Sequence, residues 1–356
     1  MISQLLLNDF RNLEPLDWCP GRGSHLLLGG NGAGKTSLLE AIYVVATTRS
    51  FRAAQIGDCV RHGSEAFRVH AEVDTDHRSR LEVSWSAGKR ERLLNGKVSP
   101  LAEHLAALPV VAWTSAEAEV LVGAPKARRR FLDRGIVGAR PTALEVLGRY
   151  REALRQKRQL LLQDGSGIEI WNELLATLAA EVIQLRHAYT ERLRETLLAV
   201  LEESGLPFPP VDLRYRPSPA SGLEGAESIA LGLESIAERE RRRQMPLLGP
   251  HRDELEILWG GHDIRRVASA GERKSLSLLL LAAHGRTLES MDRRPVYLLD
   301  DADAELAPPT HASVWKVFQG DGTRQIFASS NRPQVWLTLE AGRIWEMEKG
   351  SLSLLS

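Results

Sequence analysis

The octapeptide Gly29-Gly30-Asn31-Gly32-Ala33-Gly34-Lys35-Thr36 constrains the fold of this chain more than any other stretch. It fits G-x-x-x-x-G-K-[ST], and its setting fits as well. The apolar run His25-Leu26-Leu27-Leu28 before it reads as a buried strand, and the breaker-free Ser37–Ala46 after it as a buried helix. Glycines inside the loop let successive N–H groups turn inward around phosphate oxygens, and the helix start adds its positive end. Lys35 brings a full charge to the β and γ phosphates, and the Thr36 hydroxyl, followed by Ser37, suits Mg²⁺. ATP with Mg²⁺ is therefore the expected ligand.

A second apolar run, Val296-Tyr297-Leu298-Leu299, ends in Asp300-Asp301. Ligands of open α/β sheets gather at the carboxyl ends of strands. There Asp300 is suited to hold Mg²⁺, and Asp301 to polarise the water that attacks the γ-phosphate, with Lys35 as the other catalytic charge.

Elsewhere the patterning separates α/β segments from a helical middle. Residues 1–20 read as short strands or a hairpin. Val69, Ala71 and Val73, then Leu81, Val83 and Trp85, alternate with polar neighbours, and Asn95-Gly96 signals a hairpin turn. Residues 142–163 read as a helix ended by Asp164-Gly165-Ser166-Gly167. Trp171, Leu174, Leu175, Leu178, Val182, Leu185, Tyr189, Leu193, Leu197 and Leu201 then recur at helical spacing up to Ser204-Gly205, a stripe that reads as core. Strand patterns return after about residue 245, at 296–299, at Gln325–Ala328, at Val335-Trp336-Leu337 and at Ile344-Trp345.

No run of ~18 apolar residues exists, so no membrane span is expected. The N-terminus does not read as a secretory signal, and Cys19 and Cys59 form no disulfide or metal pattern, so a reducing cytoplasm is the expected setting. Net charge is +0, but Lys126–Arg158 holds a local excess of Lys and Arg. Such a run is either a solvated helix face or a surface for nucleic-acid phosphates. The Arg239–Arg243 run reads as a solvated face, with DNA contact as the alternative, and His251 as a surface or packing residue, with a nucleotide or interface role as the alternative.

Ser269-Ala270-Gly271-Glu272 precedes a long apolar helix. Ser269 and Glu272 have the spacing of a capping box, yet a serine and free N–H groups at a helix start also suit an anion. Here the chain resembles the ABC ATPase family, whose signature has the form S-G-G-[E/Q], with Ala270 in place of the first glycine. The resemblance implies that Ser269 and Gly271 touch the γ-phosphate bound by a second subunit, so that ATP drives formation of a homodimer.

Further stretches narrow the family. Asp9-Phe10-Arg11-Asn12, Leu39-Glu40-Ala41-Ile42-Tyr43, Arg49-Ser50-Phe51-Arg52, Pro125–Asp133 and Gly249-Pro250-His251-Arg252-Asp253, in this order, resemble the RecF family of bacterial recombination mediators, relatives of SMC heads. That resemblance implies an α/β fold: an ABC-type P-loop ATPase head (residues 1–120 and 245–356) with an inserted helical lobe (121–244). It implies an ATP-dependent pair of protomers that clamps double-stranded DNA, helps RecR and RecO load recombinase at gaps and stalled forks, and is reset by slow hydrolysis. Arg11 and Asn12 would lie near the nucleotide, and Arg128, Arg129 and Arg130 near DNA.

The chain departs from the family pattern at Ala304 and Ala307, where Ser and Asp are usual, and near Ser115, where a proline is expected. Asn331 stands after Ser329-Ser330 where other ABC proteins place a switch histidine, leaving Ser330 to position water. A transporter subunit would need a membrane partner and not this insertion. An SMC head would need a coiled coil hundreds of residues long between Lys35 and Asp300. An ATP-binding scaffold without turnover is the remaining alternative.

Overall fold

Alternation of Val69, Ala71 and Val73 with polar neighbours produces the first sheet. The computed structural model describes residues 1–74, 78–114, 117, 119–163, 165–336, 339 and 342–355. The chain opens on β1 (Ile2–Asn8) and β2 (Leu16–Trp18), then passes through β3 (Ser24–Leu28) into α1 (Lys35–Thr47). There follow β4 (Ala66–Asp74), β5 (Arg78–Ser86), β6 (Lys89–Leu94), β7 (Lys97–Val98), α2 (Leu101–Ala107) and β8 (Val110–Trp113). The order β2-β1-β4-β5-β6-β7 is antiparallel throughout. Leu5, Leu7, Val69, Ala71, Val73, Leu81 and Val83 are buried, while Arg68 and Arg80 on the other face are exposed. Asn95 and Gly96 both take left-handed conformations, as the tight turn between β6 and β7 requires.

The chain then builds a second compact unit, Glu119–Leu198 with Pro207–Ser269. It holds α3 (Glu119–Val122), α4 (Pro125–Ala139), α5 (Ala143–Gln163), most of α6 (Ile168–Ser204), β9 (Val211–Arg216), α7 (Ala226–Arg243), β10 (Glu254–Trp259), β11 (His262–Asp263) and α8 (Ile264–Val267). The α6 stripe is largely buried, although Leu174 is exposed and Trp171 only half-buried. The unit extends to Ser269 rather than ending near residue 245, because β10 pairs along its length with β9 in the sheet β11-β10-β9. Arg186 of α6 is its polar keystone. It bonds Asp133 at 2.9 Å, Asp253 at 2.8 Å and the Pro250 carbonyl at 2.6 Å. Asp253 also accepts from the Tyr215 hydroxyl and the Ser218 N–H. Burial holds its pKa above the usual carboxylate range, with Arg186 opposing.

The first unit resumes with α9 (Ala270–Glu289), β12 (Val296–Leu299), α10 (Pro308–Gln319), β13 (Ile326–Ser330), α11 (Pro333–Trp336), β14 (Arg343–Glu348) and β15 (Ser351–Leu354). Its second sheet runs β15-β14-β3-β13-β12-β8, parallel except for β15. α1 packs on strands of both sheets. Leu38, Leu39, Ala41, Ile42, Val44 and Val45 are all fully buried, so α1 is apolar nearly all round. Val335 and Trp336, expected in a strand, lie in α11. Trp336 is buried edge-on against His311 and Trp315 and donates to Asp303. Ser115, Asp164 and Leu337 lie outside the described residues. Among the described residues no helix is long and apolar enough to cross a membrane.

Candidate nucleotide site

The parallel order β3-β13-β12 sets the site. It places the Gly-rich loop after β3 and the acids after β12 on either side of the carboxyl end of β13. The loop needs its glycines. A Cβ on Gly29 would lie 2.3 Å from the Met347 carbonyl oxygen and one on Gly34 2.8 Å from Leu13, and both have positive φ. α1 starts at Lys35, so its N-terminal N–H groups open onto the loop. Lys35 is buried, and its Nζ donates to the carbonyls of Gly29 at 2.7 Å and Gly30 at 3.0 Å, holding the charge at the loop mouth.

Thr36 Oγ1 donates to Asp300 Oδ1 at 2.8 Å, and Ser329 Oγ to the same oxygen at 2.8 Å. The Asp301 N–H donates to Ser329 Oγ at 2.9 Å. Asp301 itself has φ 47, a strained backbone for a residue with a side chain. Its Oδ1 is buried and takes no hydrogen bond among the described residues. Burial, then Asp300, raises the Asp301 pKa above the usual carboxylate range, and Lys35 opposes this. Among the described residues no cluster of three His, Cys, Asp or Glu could hold a metal ion. Mg²⁺ nonetheless fits here, because it binds through one or two protein oxygens together with phosphate oxygens and water. Thr36 and Asp300 supply those oxygens, and the orphaned Asp301 oxygen lies beside them.

Arg11, Asn12, Asn31, Gly32, Ala33, Gly34, Lys35, Thr36, Ser37 and Asp301 line one cleft of about 500 Å³, with Arg52, Asp58, Val60 and His62 completing it. Asn12 braces the loop. Its amide donates to the Gly32 carbonyl at 2.9 Å, and its oxygen accepts from Ser37 Oγ at 2.8 Å. Arg11 is held from behind by Glu40 of α1, which receives Nε at 2.9 Å and Nη2 at 2.7 Å. Glu40 is fully buried and also takes Ser50 Oγ and an ion pair with Arg52 at 3.6 Å. In the sequence Glu40 stands only as part of the Leu39–Tyr43 stretch, and its role is not evident there. A charged residue inside an otherwise apolar helix was the available signal.

The other expected residues divide. Ser269 and Gly271, at the start of α9, are exposed. Ser330 does not position water, because its hydroxyl is buried and donates to Asp303 at 2.7 Å; Ser329 faces the acids instead. Arg128 is not a DNA contact. It is 1% exposed, and its guanidinium is spent on the carbonyls of Val120, Leu121 and Leu255. Arg129 is half-buried on the Asp253 carbonyl, which leaves Arg130 exposed. His251 is a packing residue bonded to the Tyr150 hydroxyl, its pKa pushed down to about 4 by burial. In the Arg239–Arg243 run, Arg241 pairs with Glu169 and Arg242 with Glu238.

The sequence profile of the RecF/RecN/SMC N terminal domain matches residues 1–342. The DNA replication and repair protein RecF of Geotalea daltonii is 32% identical over 313 residues, 86% of each chain. That of Myxococcus xanthus is 31% identical over 363 residues, 96% of each. This chain belongs to the RecF family. The solved structure of "the recombination mediator protein RecF-ATP in RecFOR pathway" superposes with a TM-score of 0.88 at 25% identity, covering 100% of this chain and 97% of that one. An Smc head bound to the C-winged helix domain of ScpA shares the fold, with a TM-score of 0.59 at 16% identity over 99% of this chain and 96% of that one. The α/β ABC-type head expected from the resemblance is thus the fold of this RecF-family chain.

Proposed function

We propose that this RecF-family chain is an ATP-binding protein of DNA replication and repair whose nucleotide sites are completed by a second copy of itself. One observation carries the reading: Asp301, whose Oδ1 takes no hydrogen bond among the described residues, lines the same cleft as the phosphate-binding loop, Lys35 and Thr36, and Thr36 is bonded to Asp300. Lys35 and the N–H groups of the Gly29–Gly34 loop hold the β and γ phosphates. Thr36 and Asp300 would hold Mg²⁺, which would supply charge neutralisation at the phosphate oxygens. Asp301, made more basic by burial, orients and deprotonates the attacking water. Arg11 and Arg52 supply positive charge further along the cleft.

Ser269 and Gly271, exposed at the head of α9, would meet the triphosphate of a second protomer, so ATP joins two copies and hydrolysis parts them. The pair clamps double-stranded DNA, with the exposed Lys126 and Arg130 among the phosphate contacts, and assists RecR and RecO in loading recombinase. Slow phosphate release from ATP and Mg²⁺, stimulated by duplex DNA and lost on Asp301→Asn, tests the reading. Turnover undiminished in Asp301→Asn overturns the catalytic assignment. No turnover in the parent makes the chain a binding scaffold.

A further inference from the structure

The first turns of α9 grip the Asp300–Asp301 pair from two sides. On one side stands Trp113, the last residue of β8. Its carbonyl accepts the Asp300 N–H at 3.1 Å, and its indole Nε1 donates to Ser277 Oγ of α9 at 3.2 Å. Ser277 Oγ in turn donates to the Lys274 carbonyl at 2.7 Å, and Lys274 Nζ lies 5.0 Å from the Trp113 ring centroid, within cation–π range. On the other side Lys274 Nζ donates to the carbonyl of Ala304, whose own N–H donates to the Asp301 carbonyl at 3.1 Å. Ala304 and Ala307 carry only methyl groups, so the stretch after Asp301 has no polar side chain at those positions with which to brace itself. Glu305, Asp303 and Asp301 attract the half-buried ammonium, which keeps it on this loop although burial opposes its charge. Ser269 immediately precedes α9, and Gly271 and Lys274 both lie in its first turns.

We propose that Lys274 is a positioning residue that links the Ser269-bearing start of α9 to Asp301 of the same protomer. Engagement of one protomer's Ser269 and Gly271 with its partner's nucleotide thereby sets its own Asp301 carboxylate, and the two composite sites are coupled through each chain. The proposal rests on the composite-site reading above. It separates from the bland alternative, in which Lys274 only shapes the helix start that touches the partner's nucleotide. In the first case a Lys274 substitution harms the site holding that protomer's own Asp301. In the second it harms the opposite site.

Mixing protomers distinguishes the two. Limiting parent protein is mixed with excess Asp301→Asn, so that nearly every parent chain sits in a mixed pair with one working site. Limiting Lys274→Met with excess Asp301→Asn should turn over about ten- to a hundredfold more slowly per working site, the scale expected when a catalytic group is misplaced by about an ångström. Limiting parent with excess Asp301→Asn/Lys274→Met should match the parent control. Lys274→Arg, which keeps both the donor and the cation over Trp113, should restore most of the rate, and ATP affinity should not change in any of them. The reverse order of the two mixtures, or equal rates in both, overturns the proposal. Should Lys274→Met not fold, as judged by thermal melting, Lys274→Gln carries the same comparison. Failure of the parent to pair in ATP at all refutes the composite-site reading and the proposal with it, whereas normal pairing with the wrong mixture pattern refutes the proposal alone.

Discussion

Replacing Arg11 by alanine should destabilise the protein more than replacing its partner Glu40, and the asymmetry follows from burial. The Arg11 side chain is 22% exposed and that of Glu40 0%. Arg11→Ala strands a carboxylate that water cannot reach, leaving the Ser50 hydroxyl, the Cys59 thiol at 3.6 Å and Arg52 at 3.6 Å as its polar neighbours. Removing one partner of a buried ion pair costs about 3–5 kcal/mol, and Arg52 holds the expectation near about 3 kcal/mol. Glu40→Ala leaves a guanidinium that already faces the cleft and still donates to the Asp58 carbonyl, so a cost of about 1–2 kcal/mol is expected. The double variant Arg11→Ala/Glu40→Ala should be more stable than Arg11→Ala alone, because it removes the stranded charge. Urea unfolding at neutral pH reads the order from the midpoints at unchanged slope. ATP titration separately reads the loss of Arg11 from the cleft, expected at about tenfold. Glu40→Ala proving costlier than Arg11→Ala, or the double variant proving worst of the three, would refute the argument that Glu40 is the desolvated partner.

Other consequences are as direct. The acid limb of turnover should lie above the ordinary aspartate pKa, because burial and Asp300 raise that of Asp301 and the rate needs its ionised form; full activity down to about pH 4 would contradict this. Arg128→Ala should cost about 3 kcal/mol of stability by orphaning buried carbonyls, whereas Arg130→Ala should change stability by no more than ~0.5 kcal/mol and lower the salt dependence of DNA binding by about one unit of slope. Salt titrations that move equally for both would remove Arg130 from the DNA surface. Cys19, exposed, should react with a thiol reagent in the folded state, and Cys59 should not, because burial and Glu40 push its pKa up to about 12. Equal labelling of the two would mean that the wall of the cleft near Glu40 opens readily.

The loop, the acidic strand end and the strands around them were legible because each depends on contiguous residues. Gly29 and Gly34 take positive φ, a local backbone demand that favours glycine, and an apolar run ending in Asp300-Asp301 announces itself. Features that depend on distant pairing were not legible. Nothing local says that Arg128 turns inward to carbonyls while Arg130, two positions on, meets solvent; a basic run reads the same in both cases. Ser329 and Ser330 differ only in the parity of the pleat, which decides which of them meets Asp300. The second unit's extension to Ser269 follows from pairing between β9 and β10, segments with α7 between them. Glu40 and Lys274 acquire their roles only once Arg11 and Ala304 are folded against them.

Sedimentation in ATP and Mg²⁺, with and without duplex DNA, tests the trans-site claim most directly when the parent is compared with Ser269→Arg, both carrying Asp301→Asn to prevent turnover. The parent should pass from monomer to dimer on adding ATP, and Ser269→Arg should bind ATP as well and remain a monomer. A Ser269→Arg protein that dimerises as fully as the parent would contradict the composite nucleotide site on which the account stands.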